Sequence, residues 1–342
     1  MGTSRGKVPS ESAAAIRVGP DAWEWLTAAD HSGRVGGHFR GGVNVVFGTE
    51  ALVSFQSPNV PIHPCAFVAD FPWEEVAEGA PVTISGGELS IGRFVLPLAE
   101  AEVVDLTFHP PANVLSLEEL RERVTLIEQL IAESPDPFKS EFDRAFVRDR
   151  DRILGEWQET GNPAVLLDLI GRGPGTTPAG DDTLIGLLAG LEVLAAVAPA
   201  STRSSLHATC HGAQTRASFL LQATRHMLRA RPLPRTGSLS AQLLKSAAAG
   251  RFPAPLLEVQ SAILDETASP VCLVGTVSAA LATGQTTGKA VLGGLIAAHP
   301  PLTSARGGAT RPKRPAIRAR RSPQDHRHRT RAPGRFGSLR NR

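Results

Sequence analysis

The chain has 342 residues, 42% hydrophobic and 20% charged, the profile of a globular protein with enough length for two ordinary cores. Its 3 cysteines (Cys65, Cys210 and Cys272) are far apart and form no CxxC pair, which argues against a disulfide framework or a structural zinc cluster and suits a reducing cytoplasm. The formal net charge of +3 is unevenly spread: residues 303–342 hold 13 Lys or Arg against the single acid Asp325, so the tail carries +12 and residues 1–302 carry −9. A nucleic-acid partner would therefore have to be bound by the tail, because the body repels a phosphate backbone.

Residues 1–32 form a lead-in without an apolar run long enough for a signal peptide. No uncharged apolar run reaches the length of a bilayer span; the longest candidate, 184–200, is interrupted by Glu192. A cytoplasmic location with no membrane partner is expected.

Residues 33–110 read as β-rich. Short β-prone runs such as HFRGGVNVVF, ALVSF, CAFVADF and PVTISGG alternate with Gly, Pro and Asn clusters, and no helix of ordinary length fits between them. A small antiparallel domain, sandwich- or barrel-like, is expected. Trp23 and Trp25 ahead of it and Trp73 within it read as packing residues.

At Ser116 the period changes. Ser116 followed by Glu118 and Glu119 marks a helix start, and LEELRERVTLIEQLIAE repeats apolar residues at three- and four-residue spacing until Asp136-Pro137. A second helix is predicted through FKSEFDRAFVRDRDRILGEWQE, ending near Gly161-Asn162-Pro163. Six more are predicted at 182–198, 202–231, 238–249, 254–266, 270–282 and 286–298. Their Ala- and Leu-rich, charge-poor composition requires a shared buried core. The fold class is thus α+β: the β-rich domain at 33–110, then a larger all-helical domain at 111–302. The tail, 303–342, is rich in Arg, Pro, Gly and Ser, cannot bury enough surface to offset ordering entropy, and is expected to be disordered. It reads as a nucleic-acid or membrane-surface arm, a solvated appendage, or a frame-shifted extension.

The densest signal is Gly171-Arg172-Gly173-Pro174-Gly175-Thr176-Thr177-Pro178-Ala179-Gly180-Asp181-Asp182, leading into a long apolar helix. Glycines permit positive φ and close approach of backbone N–H groups to a ligand. Prolines fix the loop's shape. A helix N-terminus, with Arg172, Thr176 and Thr177, suits a phosphate or carboxylate. One of Asp181 and Asp182 is expected to be the N-cap; the other is free to ligate Mg²⁺, hold a substrate amide or act as a base. The loop lacks the GK[ST] of a Walker A motif and the spacing of GxGxxG, so neither an NTPase nor a dinucleotide site follows. A purely structural turn is the competing reading. His207 and His211 are spaced i, i+4 but HATCH lacks the Glu of HExxH; with His226, they read as surface or core-edge residues.

A GxGPGxTPxGDD loop entering an apolar helix resembles the signature of the AllH-like family of oxamate carbamoyltransferase subunits, whose loop runs close to Gly-Leu-Gly-Pro-Gly-Leu-Thr-Pro-Ser-Gly-Asp-Asp. Nine of twelve positions match: Gly171, Gly173, Pro174, Gly175, Thr177, Pro178, Gly180, Asp181 and Asp182. Arg172, Thr176 and Ala179 depart from it, and Arg172 is itself a candidate anion contact. Two weaker segments are similar to family patterns. Arg235-Thr236-Gly237-Ser238-Leu239-Ser240 resembles a Thr-Thr-x-x-Ser helix start, with an N-cap served by Ser238 or Thr236 as the bland alternative. Gly284-Gln285-Thr286-Thr287-Gly288-Lys289-Ala290 resembles a Gly-His-Ser/Thr-Ser-Gly-x-Asp loop, with Gln285 in place of His and Ala290 in place of Asp.

The resemblance implies a transferase subunit acting on a small ureido acid in purine or allantoin catabolism: oxalurate and phosphate give oxamate and carbamoyl phosphate. It implies a hetero-oligomer with other carbamoyltransferase subunits and a small anionic substrate. Asp181 and Asp182 are then the candidate catalytic residues. Gly171, Arg172, Gly173, Gly175, Thr176, Thr177, Gly180, Thr236, Ser240, Gln285, Thr286, Thr287 and Gly288 are candidate substrate or phosphate contacts. Mg²⁺ is a candidate cofactor, with Asp182 its best ligand. The alternative is a non-catalytic ligand-binding or assembly subunit that has lost proton-moving groups at Gln285 and Ala290.

Overall fold

The computed structural model of the chain describes residues 16–28, 30–48, 51–197 and 206–299, with 206–211 described by their backbone alone. The predicted basic tail, the first fifteen residues of the lead-in, and the side chains of His207, Cys210 and His211 lie outside the described residues.

The N-terminal region is one sheet. Strand β1 (Arg17–Val18) and helix α1 (Pro20–Ala28) precede β2 (His31–Phe39), β3 (Gly42–Phe47), β4 (Ala51–Gln56), β5 (Ala66–Val68), β6 (Pro81–Ser85), β7 (Glu88–Ile91), β8 (Phe94–Pro97) and β9 (Glu102–Val103). They pair in the order β8-β7-β6-β2-β3-β4-β5-β1-β9. Alternation sets the faces: β6 buries Val82 and Ile84 and exposes Pro81, Thr83 and Ser85. The sheet is mixed. Pairings β4–β5 and β1–β9 are parallel, while the other pairings are antiparallel. The turn-linked strands β2–β3 and β6–β7–β8 form hairpins, whereas β5 returns beside β4 after the longer connection 57–65, which permits the same direction. Leu26, Phe55, Phe67 and Trp73 are buried in this region's core, with Phe55 packed 5.0 Å from Phe67 and 5.8 Å from Trp73 between ring centres.

The C-terminal region is helical: α2 (Leu117–Glu133), α3 (Glu141–Thr160), α4 (Ala179–Ala196), α5 (Leu206–Arg229), α6 (Ser238–Ala248), α7 (Ala254–Leu264), α8 (Pro270–Leu281) and α9 (Thr287–Ala297). The six helices expected beyond the glycine loop are present. Ser116 and Ser140 start α2 and α3 with complete capping boxes, closed by Glu119 and Asp143. Gly161 ends α3 in the left-handed conformation, φ 68°.

Helix α4 is the axis of this region. Fifteen of its 18 residues are buried, so it carries apolar residues all round, as a helix enclosed by others must. It packs most intimately on α9, at positions where a glycine of one helix meets the backbone of the other. A Cβ on Gly186 would collide with the Val291 carbonyl oxygen, one on Gly190 with that of Leu295, and one on Gly294 with that of Thr183. Among the described residues, no helix is long and apolar enough to cross a membrane.

Candidate functional site

The loop enters α4 without a side-chain cap. The helix starts at Ala179 behind Pro178, and no side chain bonds its first N–H groups. This corrects the expected Asp N-cap. Asp181 and Asp182 lie within the first turn, past the N-cap position held by Pro178, and the loop's own carbonyls do the capping. Ala179 N–H donates to Pro174 O at 3.1 Å, Gly180 N–H to Arg172 O at 2.8 Å, and Asp181 N–H to Pro178 O at 2.9 Å.

Freed from capping, both carboxylates turn to partners brought from elsewhere in the chain. Asp181, fully buried, accepts from Gly171 N–H at 2.8 Å, from Ser240 Oγ at 2.7 Å and from Thr236 Oγ1. Gly237, not Thr236 or Ser238, occupies the N-cap of α6, and no side chain caps that helix. The Thr236 hydroxyl is committed to Asp181 instead. Asp182, 2% exposed, accepts from Thr177 Oγ1 at 3.2 Å, and Thr177 Oγ1 lies 3.3 Å from Thr287 Oγ1 at the start of α9. Three segments distant in sequence therefore converge: the loop, the onset of α6 and the onset of α9.

Burial dominates the electrostatics of the pair. It raises the Asp181 carboxyl above its ordinary value, against the opposing pull of Thr236, the Gly171 N–H and Ser240. It pushes Asp182 up to about 7, opposed by the Thr287 and Thr177 hydroxyls and reinforced by the neighbouring Asp181 charge. Asp182 thus exchanges its proton near neutrality, the range suited to acid–base work.

All four glycines of the loop are explained by protein packing: a Cβ on Gly173 would meet the Phe146 ring and one on Gly175 the Thr177 carbonyl oxygen. A Cβ on Gly171 (φ 72°) would collide with the Arg235 carbonyl, and one on Gly180 with that of Leu169. The N–H groups of Gly173, Gly175, Thr176 and Thr177 donate to no protein group among the described residues. Gly175 and Thr176 are exposed, and Thr286, mostly buried, stands beside Gly175, its Oγ1 3.0 Å from where a Cβ on Gly175 would be.

Other predicted residues stand apart. Arg172 Nη1 is 3.4 Å from Asp149 on α3. Gln285 is exposed. Lys289 Nζ reaches Ser134 O at 3.3 Å and Asp136 at 3.8 Å, tying α9 to the end of α2. Gly288 is held against α8, where a Cβ would strike Ala280 O. Ala290 fills a small apolar cluster with Phe138, Phe146 and Ala179. Among the described residues, no group of three or more His, Cys, Asp or Glu side chains is disposed to hold a metal ion.

A second polar cluster joins α1 to α6. Arg251 Nη2 lies 2.5 Å from Asp21 Oδ1, Ser246 Oγ bonds Asp21 Oδ2, and Cys65 Sγ is 4.0 Å from Ser246 Oγ. Sequence reading missed it because Pro20-Asp21-Ala22-Trp23-Glu24-Trp25 was taken as lead-in. Pro20 at the first helical position with Asp21 in the first turn was the available signal.

Neither the curated proteins nor the solved structures provide a match. Residues 169–299 match the family model described as oxamate carbamoyltransferase subunit AllH. That segment contains the loop, the Thr236–Ser240 helix start and the Thr286–Thr287 helix start, hence every side chain that holds the aspartate pair. Over residues 169–299, less than half of its length, the chain is similar to the AllH family.

Proposed function

We propose that the chain is a carbamoyltransferase subunit that binds a small anionic substrate at loop 171–182. The reaction read for it joins oxalurate and phosphate to give oxamate and carbamoyl phosphate, within a hetero-oligomer. The family description supports the transferase class. The observation that carries the site is the pairing of two features. The N–H groups of Gly173, Gly175, Thr176 and Thr177 are uncommitted, and burial keeps the adjacent Asp182 close to half-protonated at neutral pH.

A neutral Asp182 lets an anion approach the loop without like-charge repulsion, and the helix N-terminus favours negative charge there. In the transfer a phosphate oxygen bonds to the carbamoyl carbon and the bond from that carbon to the oxamate nitrogen breaks. The departing nitrogen takes a proton, delivered from Asp182 through the Thr177 hydroxyl, and Asp182 regains one from the phosphate hydroxyl. The second reading, a non-catalytic binding or assembly subunit, rests on Ala290: it is fully buried in an apolar cluster, where an Asp would be an uncompensated charge.

Thermal stability of the full chain with phosphate, carbamoyl phosphate, oxamate and oxalurate, each with and without Mg²⁺, tests the site. A ligand at a hundredfold excess over its dissociation constant should stabilise the fold by about 2.7 kcal/mol, and Asp182→Ala should abolish the shift. If none of the four stabilises the chain, the loop is not an anion site in this protein. Transfer activity with partner subunits that survives Asp182→Ala would favour the assembly reading.

A further inference from the structure

Between the sheet and α6 lies a cavity of about 590 Å³, within the size range of small-molecule sites. It is lined by Asp21, Glu24 and Trp25 of α1 and by Lys245 and Arg251 of α6 and its flank; Leu52 and Leu233 add apolar surface. We propose that this cavity binds a small α-amino acid with an apolar side chain, at a site separate from the glycine loop.

The charge layout selects the ligand class. Asp21 and Arg251 form an ion pair at 2.5 Å. Glu24 and Lys245 are both exposed and have no ion-pair partner among the described residues. One unmatched carboxylate and one unmatched ammonium therefore border one cavity. A phosphate or dicarboxylate would face Asp21 and Glu24 as well as Lys245, and a diamine would face both cations. A zwitterion matches both ends: its carboxylate meets Lys245, its ammonium meets Glu24, and an apolar side chain meets Leu52, Leu233 and the Trp25 ring.

The site is built for binding and not for covalent chemistry. Burial pushes the Cys65 thiol up to about 12, so no thiolate forms near neutrality. The Ser246 hydroxyl is occupied by Asp21 and the Gln242 carbonyl, and no histidine bonds it among the described residues. Thr236 lines the same cavity while its hydroxyl holds Asp181, so an occupant would adjoin the segment that fixes the loop's aspartate. The proposal does not depend on the transfer chemistry.

Calorimetric titration of the full chain with L-leucine, isocaproate and isoamylamine tests it. Leucine should bind saturably and each singly charged analogue about tenfold or more weakly, the equivalent of ~1.4 kcal/mol per lost pair. Lys245→Gln should weaken leucine while sparing isoamylamine, and Glu24→Gln should weaken leucine while sparing isocaproate. Both positions are exposed, so the unliganded melting temperature should not move. Absence of leucine binding, equal binding of leucine by wild type and both variants, or tighter binding of inorganic phosphate than of leucine at this cavity would each overturn the assignment.

Discussion

The α-carbon of Gly186 on α4 lies so close to the carbonyl oxygen of Val291 on α9 that no side chain fits between them. The start of α9 carries Thr287 and the start of α4 carries Asp182, so this backbone contact sets how far apart those two groups stand. Gly186→Ala should cost on the order of 3 kcal/mol or more, since the clash is with backbone and cannot be relieved by a rotamer change. Gly275→Ala is the matched comparison: it lies mid-helix in α8 with open space at the Cβ position and should gain roughly 0.5–1 kcal/mol. Urea unfolding of both variants measures the contrast; equal effects would remove the close-packing argument.

Asp182 makes stability depend on pH with a definite sign. Its carboxyl titrates near 7 in the folded chain and near the ordinary carboxylate value when unfolded. The native state therefore binds the extra proton between those limits, and stability falls as pH rises from about 4 to about 7. Asp182→Asn removes that component. The melting temperature of the variant relative to wild type should rise across this window and level off above it; a constant difference from pH 4 to 8 would mean that the carboxyl is not perturbed.

The Thr236 hydroxyl donates to a fully buried carboxylate. Thr236→Val keeps the shape and deletes the donor, and should cost about 1.5–3 kcal/mol, the range for a hydrogen bond to a charged group. Thr236→Ser should recover most of the loss. Failure of Ser to recover it would assign the effect to the methyl group's packing.

Arg123 on α2 donates Nη1 to Ala262 O at 2.5 Å and Asp265 O at 2.8 Å, and Nη2 to Ala268 O at 2.9 Å. One guanidinium thus closes the end of α7 and the turn after it. Lysine has the charge but not the planar fork. Arg123→Lys should lose nearly as much as Arg123→Met, on the order of 2 kcal/mol, read as a shift in the urea midpoint. A lysine variant whose urea midpoint matches wild type would show that charge alone suffices.

Much of the helical region could be read directly, because its signals are local: Ser116 with Glu119 and Ser140 with Asp143 write their own capping boxes. The glycine loop stood out for the same reason. What could not be read were relationships over long separations. Strand β5 lying parallel beside β4 depends on the course of the connection at 57–65. The partners of Asp181 lie 55 and 59 residues away, and the Thr177–Thr287 contact spans 110. The expectation of an Asp N-cap failed because the loop folds back and its carbonyls take the donors first. Local preference yields wherever a tertiary partner satisfies the same group.

The enclosure of α4 has a bearing on how this protein can be divided. Residues 169–299 hold the family pattern, yet the core around α4 is also built from Leu120, Ile127, Ile153 and Trp157, all upstream of that segment. On the sheet side, Leu52 N–H donates to Gln242 at 3.2 Å, and Asp21 accepts from Ser246 and pairs with Arg251. The stretch that carries the chemical pattern is consequently not an autonomous folding unit: excised, it would expose one flank of its central helix, and any transplant of the loop into another scaffold would have to bring α2, α3 and the sheet along with it.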